Sequence, residues 1–104
     1  MRRDRIYKFD YKDIGIKYDC FFNSQFIEHV DCFKFMEIAQ KYCDKVLITI
    51  TCNPVKSFWD DPSHIRPYTM KAIKSLYKSY GFKVIYSQEL IPTNSFIVIG
   101  EKIE

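Results

Sequence analysis

The chain has 104 residues, 47% of them apolar and 17% aromatic, and carries a net charge of +3. That length fits a single domain (residues 1–104) able to bury roughly 65% of its unfolded surface, and the apolar content excludes a disordered chain. The positive charge is small and scattered over residues such as Lys41, Lys45, Lys71, Lys74 and Lys78, which argues against a nucleic-acid-binding stripe.

Arg5–Phe9 (RIYKF) alternates charged and apolar residues and is expected to be a short strand, with Tyr11–Lys17 as a connection. Tyr18–Asn23 (YDCFFN) is almost wholly apolar, the composition of a strand covered on both faces in a parallel sheet. From about Cys32 to Cys43, the residues Phe35, Met36, Ala39, Tyr42 and Cys43 recur at helical spacing, with Asp31 placed as N-cap. Lys45–Cys52 (KVLITITC) is short, apolar and β-branched, and Asn53-Pro54 ends it. A second helix is expected from Thr69 to Tyr80, where Met70, Ile73, Leu76, Tyr77 and Tyr80 recur at three and four. Thr69 can cap its start, and Gly81 suits the left-handed position after its last turn. Phe82–Glu89 and Ser95–Ile99 then read as strands joined by LIPTN, a turn short enough for an antiparallel pair.

Crossover helices between strands imply parallel neighbours, so the expected class is α/β: a three-layer arrangement of parallel strands with a C-terminal antiparallel hairpin strand. No apolar run nears the ~18 residues of a membrane span, and MRRDRIYKFD has no apolar signal-peptide core, so a cytoplasmic protein is expected. Cys20, Cys43 and Cys52 lie in or beside apolar segments, as small buried hydrophobes do. There is no C-x-x-C, and His29-x-x-Cys32 lacks a second close pair, so no structural zinc is expected, and the reducing compartment expected for the chain argues against disulfides.

FWDDPSHIRPYT, residues 58–69, is unusual for a connection. It follows a strand's carboxyl end, the edge where open α/β sheets bind ligands, and should overhang the same edge as Asn23, Ser24, Gln25 and His29. Asp60, Asp61, His64 and Arg66 supply charge and protons, Phe58, Trp59 and Tyr68 supply apolar walls, and Pro62 and Pro67 stiffen the path. Two readings stand side by side: a substrate lid, or a structural segment in which Trp59 plugs the sheet end and Asp61 pairs with Arg66. His29 is either a general base, histidine being the side chain whose unperturbed pKa lies near neutrality, or a hydrogen-bonded histidine at a helix start. Ser24 and Ser63 have no nucleophile-elbow context.

In order, YDCFFNSQFIEHV, KVLITITCNP, FWDDPSHIRPYT and YGFKVIYSQEL resemble the C-terminal half of class I S-adenosylmethionine-dependent methyltransferases, over roughly Arg5 to Glu101. The aromatic-acid pair Tyr18-Asp19, the turn Ile27-Glu28-His29-Val30 and the pair Gly81-Phe82 carry the likeness together with the loop. The resemblance implies a Rossmann-like sheet with S-adenosylmethionine as methyl donor. It places Asp10 against the adenine amino group and Asn23, Ser24 and Gln25 at the methionine end of the cofactor. It makes His29 and His64 the candidate catalytic bases, and turns Trp59, Asp61, Arg66 and Tyr68 toward a small-molecule or sugar-type acceptor. Some members hold a divalent metal through a glutamate, the E-H pair and a later histidine. Gln25 stands where the first glutamate would be, so no metal is expected.

The family's glycine-rich turn and ribose-binding acid have no counterpart in this sequence. The resemblance therefore implies a split enzyme, with a partner chain supplying the glycine-rich motif. Two alternatives are a degenerate, non-catalytic interaction or regulatory module, and an unrelated small α/β protein that binds a ligand or, less in keeping with its charge, nucleic acid. In the full fold YDCFFN pairs with the glycine-bearing strand. Without that neighbour it would be an apolar edge, unless RIYKF folds back over it, so a homodimer or heterocomplex is expected.

Overall fold

The computed structural model describes residues 18–103. The expected strand Arg5–Phe9 and the expected adenine contact Asp10 lie outside the described residues. Tyr18–Ser24 forms β1 and Cys43–Cys52 forms β2, parallel neighbours in register from Tyr18 against Cys43 to Ser24 against Ile50. Between them runs α1, Cys32–Tyr42, started by Asp31, whose carboxylate accepts from the backbone N–H groups of Phe33 and Lys34. Helix α2, Met70–Ser79, is capped by Thr69 Oγ1, which accepts from Ala72 N–H at 3.1 Å. Gly81, at φ +84°, closes the helix in the left-handed conformation. β3 (Phe82–Leu90) and β4 (Ser95–Lys102) form the C-terminal antiparallel hairpin, with Asn94 at φ 57° in its turn.

The strand order is β1-β2-β4-β3, with β4 antiparallel to both of its neighbours. The sequence led us to expect that both crossover helices would join adjacent strands. Instead the second crossover skips one position, and β4 returns into the gap. Composition accounts for the choice: β4 carries the fully buried Phe96 and Val98 and takes an interior place, whereas β3, exposing Lys83, Gln88 and Glu89, tolerates an edge. β1 is the other edge among the described residues, and most of YDCFFN, read from the sequence as covered on both faces, is exposed there.

Leu47, Thr49 and Thr51 alternate along β2 toward one face, where they meet Phe96 and Val98 of β4. Phe35, Met36 and Ala39 of α1 and Ile73 and Tyr77 of α2 join them in one core. Both helices thus cover the same face, and the described residues make two layers of the α/β arrangement; the third is not among them. Tyr77 is fully buried with its hydroxyl 2.7 Å from Thr49 Oγ1 and 3.1 Å from the Val98 carbonyl oxygen, and burial pushes its pKa up. Asn23 Nδ2 donates to Thr49 Oγ1 and to the Ile48 carbonyl, tying β1 into the same network. Gly100 makes room for this tyrosine, since a Cβ there would come within 2.5 Å of its ring.

On the opposite face, the register aligns Phe22, Ile48, Ile99 and Tyr86 in one row across all four strands, with Ile50 opposite Ile97 beside it. Phe22 is 61% exposed and Tyr86 50% exposed. Cys20, expected to be a buried small hydrophobe, is exposed because it sits on an edge strand. Cys32 and Cys43 are buried, and all four cysteines are free thiols. Among the described residues, no helix is long and apolar enough to cross a membrane.

Candidate functional site

The carboxyl ends of β1 and β2 open into a cavity of about 610 Å³, lined by Gln25, Glu28, His29, Asp61, Ser63 and His64 among others. Gln25 leaves β1 at φ 56°, left-handed backbone that a non-glycine residue holds only when its surroundings fix it. Its N–H donates to the Ile50 carbonyl at 2.8 Å and its side-chain amide to Ser95 Oγ at 3.3 Å. The 3₁₀ turn Ile27–His29 follows, anchored by the buried Phe26 and Ile27. Glu28 is only 1% exposed, and its Oε1 accepts from the Thr51 hydroxyl at 2.7 Å. The Cys52 thiol lies 3.9 Å from its other oxygen, and burial together with the Glu28 charge pushes that thiol's pKa up.

A second 3₁₀ turn, Lys56–Asp60, starts the loop after β2. Phe58 is 3% exposed and stacks on His64 at 4.2 Å between ring centroids, while Trp59 meets Phe58 edge-on and is 60% exposed. The plug that the sequence suggested for Trp59 is made by its neighbour. Ile65 N–H donates to the Glu28 carbonyl at 2.7 Å and so ties the loop to the turn that carries His29. The two imidazoles lie edge to face, 4.7 Å apart. Asp61 accepts from the Ser63 hydroxyl at 2.6 Å and from the Ser63 N–H at 2.9 Å, and its other oxygen is 3.5 Å from His64 Nε2. Those two Ser63 bonds, with smaller help from the histidines, hold the Asp61 carboxyl below the usual value. Ser63 Oγ is also 2.9 Å from His29 Nδ1.

The fold therefore brings together His29, His64, Asp61 and Gln25. The other expected site residues go elsewhere. Asn23 is buried against Thr49, and Ser24 sits in the β1 ladder opposite Ile50. Tyr68 is 2% exposed within the core, its hydroxyl pKa raised by burial and by Cys32. Arg66 lies over the Tyr68 ring at 5.2 Å, while Asp61 turns to Ser63 and His64. Sequence reasoning weighed Ser63 only as a nucleophile and set it aside. The signal was the Asp-Pro-Ser spacing, in which an aspartate side chain accepts from the N–H two residues on.

Two donor groups could hold a cation: Glu28 with Cys52 and His64, and His29 with Asp61 and His64. In each, one ligand atom per residue lies within 4.8 Å of the others, and His64 belongs to both. Of the residues the resemblance assigned to S-adenosylmethionine, Gln25 alone among the described ones lines the cavity.

No protein-family model matches the chain, and no curated protein matches it. Solved structures do. Magnesium protoporphyrin IX methyltransferase (ChlM) from Synechocystis with bound SAH superposes with a TM-score of 0.68 over 89% of this chain and 48% of its own, at 14% identity. The pyocyanin biosynthetic protein PhzM gives 0.65 over 88% of this chain and 32% of its own, at 17% identity. A SAM-dependent methyltransferase from Archaeoglobus fulgidus gives 0.62 over 83% of this chain and 60% of its own, at 17% identity. The chain thus spans about half or less of the first two structures and under two thirds of the third. At these identities the likeness speaks to architecture: a four-stranded mixed sheet with both helices on one face, in a fold like that of the class I S-adenosylmethionine-dependent methyltransferases.

Proposed function

We propose that this chain supplies the acceptor side of a methyl transfer from S-adenosylmethionine and works in complex with a chain that supplies the glycine-rich cofactor motif. The observation that carries the reading is the convergence of His29, His64 and Asp61 on one cavity at the carboxyl edge of a methyltransferase-like sheet. The cofactor, where bound, supplies an electrophilic methyl group. This chain's part is to hold a hydroxylated small molecule or sugar-type acceptor in the cavity and to take the proton that its oxygen loses. The partner would be a second copy or a different chain, paired along the β1 edge and extending over the adjoining row Phe22, Ile48, Ile99 and Tyr86.

Calorimetry with S-adenosylmethionine and S-adenosylhomocysteine, on the chain alone and with a candidate chain carrying strand-G-x-G-x-G, tests this directly. Binding is expected only in the complex, followed by methyl transfer to hydroxylated acceptors that His29→Ala abolishes. Absence of heat in every combination would remove the enzymatic reading. A second reading, a non-catalytic interaction module, is favoured by the exposed apolar row itself. It predicts that association persists while neither cofactor form binds.

A further inference from the structure

Glu28 is 1% exposed and stands at the wall of the cavity, on the 3₁₀ turn beside the end of β2. A buried carboxylate calls for a positive partner or a metal ion. Its side-chain hydrogen-bond partners among the described residues are neutral: the Thr51 hydroxyl, 2.7 Å from Oε1, and the Cys52 thiol, 3.9 Å from Oε2. Cys52 ends β2 and His64 comes over from the loop, so that one ligand atom each of Glu28, Cys52 and His64 lies within 4.8 Å of the others. The 3.9 Å between sulfur and carboxylate oxygen is already close to the edge of a zinc tetrahedron, about 3.5 Å for bonds of about 2.3 Å to sulfur and about 2.0 Å to oxygen. The His64 ring is held for the same task. Its Nδ1 is 2.6 Å from the Phe58 carbonyl oxygen and its face stacks on Phe58, the kind of hold by which a metal-ligating imidazole presents its other nitrogen.

The geometry points to Glu28, Cys52 and His64 as a binding site for a zinc-type divalent ion, beside the cavity that Glu28 and His64 line. Three protein donors leave one coordination position for water or for a ligand in the cavity. Cys52 binds as the thiolate, its proton passing to solvent as the ion enters, and a sulfur donor selects zinc over magnesium. This is not the donor set that the resemblance implied. Gln25 offers no anionic oxygen and donates its amide to Ser95 Oγ, and the added donor comes instead from β2, 24 residues beyond Glu28. The competing group, His29 with Asp61 and His64, has neither a sulfur nor a buried anion. Its acid, Asp61, is half exposed on the loop, and its Oδ1 is taken by the Ser63 hydroxyl and N–H. The site stands on these contacts alone and does not depend on reading the cavity as a methyl-acceptor site.

Titration of the full chain with cobalt(II) and then zinc reads the site without any need for turnover, in a Cys20→Ser background that removes the exposed thiol. The expected result is one cobalt ion per chain with a thiolate-to-metal charge-transfer band in the near ultraviolet. Zinc should abolish that band, and magnesium in large excess should leave it. Cys52→Ser should remove the band and weaken zinc binding at least ~10-fold, and Glu28→Gln and His64→Ala should weaken it by a similar factor. Asp61→Asn should leave zinc affinity within roughly threefold, since it alters no ligand of the proposed set. Circular dichroism checks the fold of each variant. X-ray absorption of the zinc-loaded Cys20→Ser chain, expected to show one sulfur among the nearest scatterers, decides the matter where a variant does not fold. Absence of the band, a band that survives Cys52→Ser, displacement by magnesium as readily as by zinc, or a zinc shell of oxygen and nitrogen alone would overturn the inference. So would a loss on Asp61→Asn as large as that on Cys52→Ser. If zinc binds as expected but no complex transfers methyl groups, the functional reading fails and the metal site stands.

Discussion

Toward the helices, Leu47, Phe96 and Val98 are fully buried, whereas on the other side of the same sheet Phe22 and Tyr86, aligned with Ile48 and Ile99, are 61% and 50% exposed. The two faces carry comparable apolar character. Alternation along a strand says which residues share a face, not what covers that face. The covered face sets how well the chain folds, and under the proposed function the open face is where a partner sits.

Substitutions at adjacent positions on β2 give the widest separation. Leu47→Ala should cost about 2–5 kcal/mol in denaturant unfolding, because it empties a packed site, whereas Ile48→Ala on the open face should cost well under half as much. Equal costs would mean that the second face is covered in the free chain. Gly100→Ala pushes a methyl group into the Tyr77 ring and should cost about 1–3 kcal/mol. Tyr77→Phe keeps the ring and removes the hydroxyl bonded to Thr49, for about 1–2 kcal/mol. Phe22→Ser and Tyr86→Ser should leave unfolding within about 0.5 kcal/mol of the parent yet weaken association, as measured by sedimentation.

The smallest effects are those of pH. The folded state raises the pKa of Tyr77 above its ordinary 10.0, so above that pH the unfolded chain gives up this proton first and stability falls as pH rises. Tyr77→Phe should flatten that alkaline limb. For Asp61 the folded pKa is depressed, so its contribution is present above the unfolded value, near 3.8, and is lost as pH falls through the folded one. Ser63→Ala should move the Asp61 titration, followed by NMR, back upward.

Much of the scaffold was legible because it depends on neighbours in sequence. Asp31 and Thr69 cap helices through N–H groups two or three residues away, and Gly81 ends α2 through its own φ. The interior place of β4 was not legible, since it depends on which of two hairpin strands pairs with β2, a contact some fifty residues distant. At the site, His29, His64 and Asp61 could be expected at one edge from topology alone. The distinction between Phe58 and Trp59, and between Tyr68 and Ser63, depends on the path of a loop without a periodic pattern. A buried tyrosine and a cavity-lining serine look alike in such a segment.

Native mass spectrometry of the chain with and without S-adenosylmethionine tests most directly whether the open face belongs to an assembly that completes a cofactor site. The account predicts masses of at least two chains, by self-association or with the glycine-rich partner, and cofactor retained only by the partnered species. A chain that stays monomeric at every concentration and with every candidate partner, or one that binds the cofactor as an isolated monomer, would contradict it.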